Sequence, residues 1–233
     1  MTQIWFTADT HFGHRRIPLY AKRRFCLTEE ENALLDQAWR DGGDQPLRGR
    51  DAWQPSLAAI ERMDQYLIDR INAVVQPEDV LWHLGDFCFG PSGPAMLACA
   101  QAYRDRIQCR TIHFTWGNHD DRRIAPLFNS HHERHELLWN GQLIVLSHYA
   151  QAVWNKSHRG AWMLYGHSHA SAESWLDAHM PGRRSIDVGV DNAYRVLGES
   201  RPFSFDELHD LLNARPGYSI DHHVEKPCQE TAG

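Results

Sequence analysis

The 233 residues include no apolar run near the roughly 20 that a membrane-crossing helix requires, so the chain is not expected to span a bilayer. The N-terminus, Met1-Thr2-Gln3-Ile4-Trp5-Phe6, carries neither a basic leader nor a small-residue cleavage site, which points to a cytoplasmic protein. Positive charge is not in excess. The 24 Lys plus Arg face 30 Asp plus Glu, for a net charge of -6, so no whole-protein field favours a polyanion and any phosphate binding must be local. The 5 cysteines are an odd number without a Cys-x-x-Cys pair, which argues against a disulfide framework or a cysteine zinc cage. Internal repeats and low-complexity tracts are also lacking.

Hydrophobic residues make up 42% of the chain, enough to bury one core. At roughly 150 residues per domain, the length favours a single domain over 1–217, with a lid or insertion at 41–55 and a loose polar tail at 218–233. Apolar runs predict strands at Ile4–Ala8, Val80–Leu84, Thr111–Trp116, Leu143–Leu146 and Trp162–Tyr165. A further strand is expected at Ser185–Asp191, antiparallel or at an edge because of its glycine. Thr28-x-x-Glu31 and Ser204-x-x-Glu207 are capping boxes that open helices. Ser56 can cap a longer helix in which Leu57, Ile60, Met63, Leu67, Ile68, Ile71 and Val74 recur at helical spacing, and Ala95–Arg106 is another candidate. Strands alternating with helices imply an α/β fold, with a ligand crevice at the carboxyl ends of the strands.

Histidine is abundant, with 16 in the chain, so metal binding is the first function to test. Five predicted strands end in polar clusters: Asp9-x-His11, Gly85-Asp86, Gly117-Asn118-His119-Asp120, His148, and Gly166-His167-x-His169. The four-residue Gly-Asn-His-Asp carries most of the weight, because chance produces it far less than once in a chain of this composition. Residues two apart on an extended segment point to one side, so Asp9 with His11, and His167 with His169, are each expected to address one site. Carboxylate, imidazole and amide donors in this number suit two divalent transition ions sharing a carboxylate.

These blocks, in this order over Asp9 to His169, resemble the calcineurin-like binuclear metallophosphoesterases. The resemblance implies a four-layer α/β/β/α sandwich, two mixed sheets face to face with helices outside. It also implies that Asp9, His11, Asp86 and His169 hold one ion and Asp86, Asn118, His148 and His167 the other, with Asp86 bridging. His119 would stay free of metal. The expected chemistry is attack of a metal-bridging hydroxide on a phosphate ester, with His119 protonating the departing oxygen. Manganese is the first expectation for the ions, with iron, zinc, nickel and cobalt as alternatives. Protein phosphatase relatives carry an Asp and an Arg soon after the Gly-Asp block, whereas this chain reads Gly85-Asp86-Phe87-Cys88-Phe89-Gly90. That difference favours a phosphodiester of nucleotide or nucleic-acid type over a protein. The alternatives are a phosphomonoesterase of a small molecule and a catalytically silent metal-bearing scaffold. No membrane or protein partner is expected.

Phe87 and Phe89 suit a pocket wall, and Asp120 or Asp121 is a candidate to orient His119. His14, Arg15, Asn155 and His158 are candidate substrate contacts, and Tyr149 and Trp154 could stack a base. The basic run from His14 to Arg24 reads either as a polyanion track or as a solvated face. His131-His132-Glu133-Arg134-His135-Glu136 reads as a solvated loop, as do His222 and His223. His83 and His113 read as core histidines, and Asp187 and Asp191 as partners of ligand histidines or as turn and edge residues.

Overall fold

The structure is a computed structural model that describes residues 2–48, 52–218 and 220; the tip of the insertion and nearly all of the tail, with His222 and His223, lie outside the described residues. Two mixed sheets form its centre. The first has the order β4-β3-β2-β1-β9, built from β1 (Ile4–Thr7), β2 (Val80–His83), β3 (Thr111–Thr115), β4 (Ser130–His132) and β9 (Phe203–Ser204). Its first four members are parallel, and β9 pairs antiparallel with β1. The second has the order β5-β6-β7-β8, from β5 (Arg134–Trp139), β6 (Gln142–Ser147), β7 (Trp162–Tyr165) and β8 (Ser185–Asp187), and only β5 is antiparallel to its neighbour. Seven helices accompany them among the described residues: α1 (Ile17–Tyr20), α2 (Glu29–Gly42), α3 (Leu57–Val74), α4 (Ala95–Arg104), α5 (Glu173–His179), α6 (Val190–Leu197) and α7 (Phe205–Asn213).

Strand periodicity sorts the side chains into layers. Ile4, Phe6, Trp82, Leu84, Ile144, Leu146, Trp162 and Leu164 meet between the sheets, where α7 closes the gap with Phe205, Leu208 and Leu212. Their neighbours Trp5, Leu81 and Ile112 face the other way, onto Ile60, Met63, Leu67 and Ile71 of α3 and Met96 and Ala100 of α4. On the far side, Val145, Met163 and Tyr165 pack against Trp154 and Met180. Each of these strands is buried on both faces, which is why it reads as an unbroken apolar run. The expected sandwich is the observed one, and both capping boxes are present, at Thr28 and Ser204.

Three local expectations are corrected. The segment at 185–191 is an edge strand only to Asp187 and pairs parallel with β7; Gly189 then caps α6. The histidines at 131–135 are not in a solvated loop. Ser130–His132 and Arg134–Trp139 are strands, and the His113, His132 and His135 rings gather around Trp82, at centroid distances of 4.8, 6.0 and 4.8 Å. The available signal was Asn140-Gly141, whose positive φ values of 46° and 80° turn β5 into β6 as a tight hairpin. Trp154 is buried, donating to the Ala161 carbonyl at 2.9 Å, so it is a packing residue and not a base platform.

One buried carboxylate fastens the start of the parallel sheet. Asp79 accepts from the Gln3 and Gln76 amides and from Trp5 Nε1, at 2.8, 3.0 and 3.0 Å. Burial opposes its ionisation, but these donors hold its carboxyl below the ordinary value. Replacing Asp79 with Ala strands three donors and is expected to cost about 2–4 kcal/mol in urea denaturation. Because the folded-state pKa is depressed, the advantage of wild type over Asp79→Asn should be complete above about pH 4 and vanish as pH falls further.

Candidate metal centre

The polar blocks converge at the carboxyl ends of the strands. Asp9 follows β1, Asp86 follows β2, Asn118 and His119 follow β3, His148 follows β6, and His167 and His169 follow β7. The local geometry differs from the extended segments expected. Asp9, His11, Asp86, His167 and His169 all have positive φ, at 57°, 49°, 57°, 67° and 47°, so each motif curls back on itself. Such a conformation is uncommon outside glycine and costs on the order of 1–2 kcal/mol per residue. Backbone pairing holds it in place: Asp9 N donates to the Gly85 carbonyl, His11 N to that of Asp86 and Phe12 N to that of Phe87, each at 3.0 Å. The motif glycines are needed for close approach. A Cβ on Gly85 would lie 2.6 Å from His148 Nδ1, and one on Gly117 would lie 2.2 Å from Asp86 Oδ1.

Two groups of side chains result whose donor atoms could each hold a cation: Asp9, His11 and His169, and Asp86, His148 and His167. Asn118 joins the second, with Oδ1 at 3.1 Å from His148 Nε2 and 2.9 Å from His167 Nδ1. Asp86 stands between the groups, its Oδ2 lying 3.4 Å from His11 Nε2 and 3.5 Å from His148 Nε2. The chemistry of the set fits divalent transition ions. Nitrogen and oxygen donors are mixed, and the buried Asp9 Oδ1 and His11 Nε2 have no hydrogen-bond partner among the described residues. Leaving such atoms unpaired costs about 1–3 kcal/mol each, which a cation held there would relieve.

The electrostatics point the same way. Burial pushes the Asp9 carboxyl well above its ordinary value, and Asp187, Asp86 and Asp191 add to the push. Burial, with the neighbouring His169, drives His11 well below its own, toward the neutral imidazole that a metal requires. The candidate ligand rings are oriented from behind. His148 Nδ1 donates to the Leu84 carbonyl at 2.8 Å, and His169 Nδ1 to Asp191 at 2.6 Å, leaving each Nε2 toward the site. Asp191 thus acts behind a candidate ligand, whereas Asp187 braces the loop by accepting from Ser168 Oγ and the Ala170 and Gly189 amides.

The basic run is neither a plain track nor a plain solvated face. Arg23 is buried within it, forking onto both Asp191 oxygens at 2.9 Å and donating to the carbonyls of Asp9 and Thr10 at 2.6 and 2.9 Å. Its neighbours Lys22 and Arg24 are exposed, so composition alone could not single it out. Asp120 is also reassigned. It accepts from the Asp86, Phe87 and Gly117 amides at 2.7, 2.9 and 2.8 Å, shaping the Asp86 turn; Asp121 caps a 3-10 turn through Arg123. The His119 amide instead donates to Asp86 Oδ1 at 2.9 Å, and the His119 ring stands 5.6 Å from that of His11.

A cavity of about 540 Å³ covers both groups and is walled by His14, Tyr20, Lys22, Arg48, His119 and Ser171 among others. His14 accepts from the Arg16 amide through Nδ1, and burial, assisted by His119, lowers it to about 4; at neutral pH it is therefore an uncharged ring with Nε2–H to donate. Phe89 is exposed beside His14, but Phe87 is core, packed against Phe12, His83 and Phe128. Arg15 lines an adjoining cavity. Asn155 donates to Glu136 at 2.8 Å, and neither it nor His158 lines the cavity over the two groups.

A model of the calcineurin-like phosphoesterase superfamily domain matches residues 63–184, just over half of the chain and inclusive of every block from Asp86 onward. The chain belongs to the calcineurin-like phosphoesterase superfamily. Relatives within reach include the uncharacterized protein MJ1445 of Methanocaldococcus jannaschii, 25% identical over 214 residues that span 91% of this chain and 92% of that one. The gene 66 protein of Mycobacterium phage D29 is 22% identical over 242 residues, or 91% and 97% of the two chains. The crystal structure of AQ665, a protein of unknown function from Aquifex aeolicus, superposes with a TM-score of 0.53, covering 91% of this chain and all of that one at 17% identity. That likeness shows a shared fold. Among the described residues, no helix is long and apolar enough to cross a membrane.

Asp191→Asn should weaken manganese binding by about 10–100-fold in calorimetric titration, as loss of a carboxylate behind a metal-bound imidazole typically does. Unchanged affinity would detach Asp191 from the centre.

Proposed function

We propose that this superfamily member is a binuclear metal-dependent phosphodiesterase of nucleotide or nucleic-acid type. Asp9, His11 and His169 would hold one ion, and Asn118, His148 and His167 the other, with Asp86 shared. The observation that carries the reading is the position of Asp86: one oxygen faces a histidine of each group while the other fixes the His119 amide. Divalent ions bound there would supply Lewis acidity and bring the pKa of water toward neutrality. Manganese is the first choice of ion. In hydrolysis, water adds to phosphorus, the ester P–O bond breaks, and His119 delivers a proton to the departing oxygen. His119 suits that role because it is exposed in the cavity and outside both donor groups. His14, neutral with Nε2–H available, is placed to donate to a non-bridging oxygen or to the leaving group.

A phosphomonoester is the competing substrate. Lys22 and Arg48 on the cavity wall could offset the extra negative charge of a dianion. Against it stands the room beside the centre, where the adjoining cavity can take a second ester substituent.

The test compares kcat/KM for bis(p-nitrophenyl) phosphate and p-nitrophenyl phosphate in manganese. The diester should be favoured, and a preference for the monoester would reverse the assignment. His119→Ala should lose about 10²–10⁴-fold on a dinucleotide, whose departing alkoxide needs a proton. The loss should be much smaller on the nitrophenyl diester, whose leaving group departs readily as an anion. Equal losses on both would remove His119 from proton transfer.

A further inference from the structure

The cavity over the two groups adjoins a second of about 590 Å³, and both have His14 and Tyr20 in their walls. The His14 ring is the hinge between them. It stands 6.5 Å from the ring of His119 on one side and 4.4 Å from that of Phe89 on the other, while Phe89 itself lies 5.8 Å from His119. Phe89 is 43% exposed although Phe87 and Cys88 before it are buried. Its amide is tied to the Phe12 carbonyl at 2.7 Å, so the ring is presented from a fixed backbone. The rest of the wall, Gly13 and Gly90 apart, is polar or cationic: the guanidinium-bearing Arg15 and Arg16 are exposed there, and Gln54 adds an amide.

A planar apolar face, hydrogen-bonding groups and exposed cations together match a nucleotide. The face offers stacking to any base, the amide an edge contact, and the guanidiniums a phosphate. Position decides which part of the substrate enters. A substituent that reaches this cavity from the metal centre passes His14 and Phe89, whose rings stand 6.5 and 5.8 Å from that of His119, and the group on the side of the proton donor is the one that leaves.

We propose that the second cavity is a subsite for the nucleobase of the leaving group, with Phe89 as its stacking platform and Arg15 and Arg16 facing the phosphate that follows. The inference rests on the phosphodiesterase reading and narrows it to esters whose departing alcohol is a nucleoside. The rival platform is Tyr149, exposed beside the second donor group, where its ring lies 4.6 Å from that of His167.

The test is calorimetric binding of adenosine 5′-monophosphate and ribose 5-phosphate to manganese-supplemented protein. The two ligands share the phosphate and sugar and differ in the base. Wild type should bind the nucleotide about tenfold more tightly or better. Phe89→Ala should bring the ratio close to one, Phe89→Leu should leave it well below wild type, and Tyr149→Ala should preserve it. Equal affinities in wild type, or loss of the ratio in Tyr149→Ala with retention in Phe89→Ala, would overturn the subsite. The two readings fail separately: the binding pattern without hydrolysis of any ester keeps the subsite and sinks the diesterase, whereas diester hydrolysis without base preference does the reverse.

Discussion

Buried negative charge at the crest of the two sheets is the constraint around which the molecule is built. Asp9, Asp86 and Asp187 are out of solvent, the Asp191 side chain is nearly so, and Arg23 is the buried cation set among them. An isolated buried carboxylate is too costly to keep, so each is answered by specific donors. Asp187 takes a hydroxyl and two amides, Asp191 takes the Arg23 fork and His169, and Asp86 takes the His119 amide. Burial alone would raise Asp191, yet Arg23 and His169 hold it well below the usual carboxylate range. Asp9 Oδ1 and His11 Nε2, which have no hydrogen-bond partner among the described residues, belong to the first of the two candidate metal groups.

The same constraint explains the backbone. Five candidate ligands occupy the left-handed region, a conformation that persists only where its surroundings over-determine it. The pairing of 9–12 with 85–88, the Asp120 carboxylate across three amides, and glycines that admit neighbouring side chains all serve that end. The layered core supplies the rigid strands from which these turns depart. Burial lifts Asp120 to about 6, and the turn-shaping role rests on its three amide contacts.

Most of the site could be read from the chain because its blocks are short and each follows a buried strand, so local sequence carries both the residue type and its place at a strand end. Arg23 and the role of Asp120 could not be read this way, and for Asp191 the chain left two roles open, of which the pairing with a histidine is the one observed. Arg23 lies 168 positions from the carboxylate it pairs with, and Asp120 lies 34 from the amide it accepts. Nothing in the local pattern separates the buried Arg23 from the exposed Lys22 and Arg24. The places of His132 and His135 beside Trp82 are hidden for the same reason, since β3, β4 and β5 come together only through sheet pairing and packing.

By itself, then, the sequence determined the α/β character, the buried strands, the capped helices and the identity of the metal-type side chains, because hydrophobic period and residue chemistry are local properties. Tertiary structure alone decided that those side chains curl into two groups joined by Asp86, that a buried guanidinium offsets their charge, and that Phe89 faces a second cavity while Phe87 does not. Those outcomes depend on which distant segments meet, and proximity across the fold is written in no single stretch of chain.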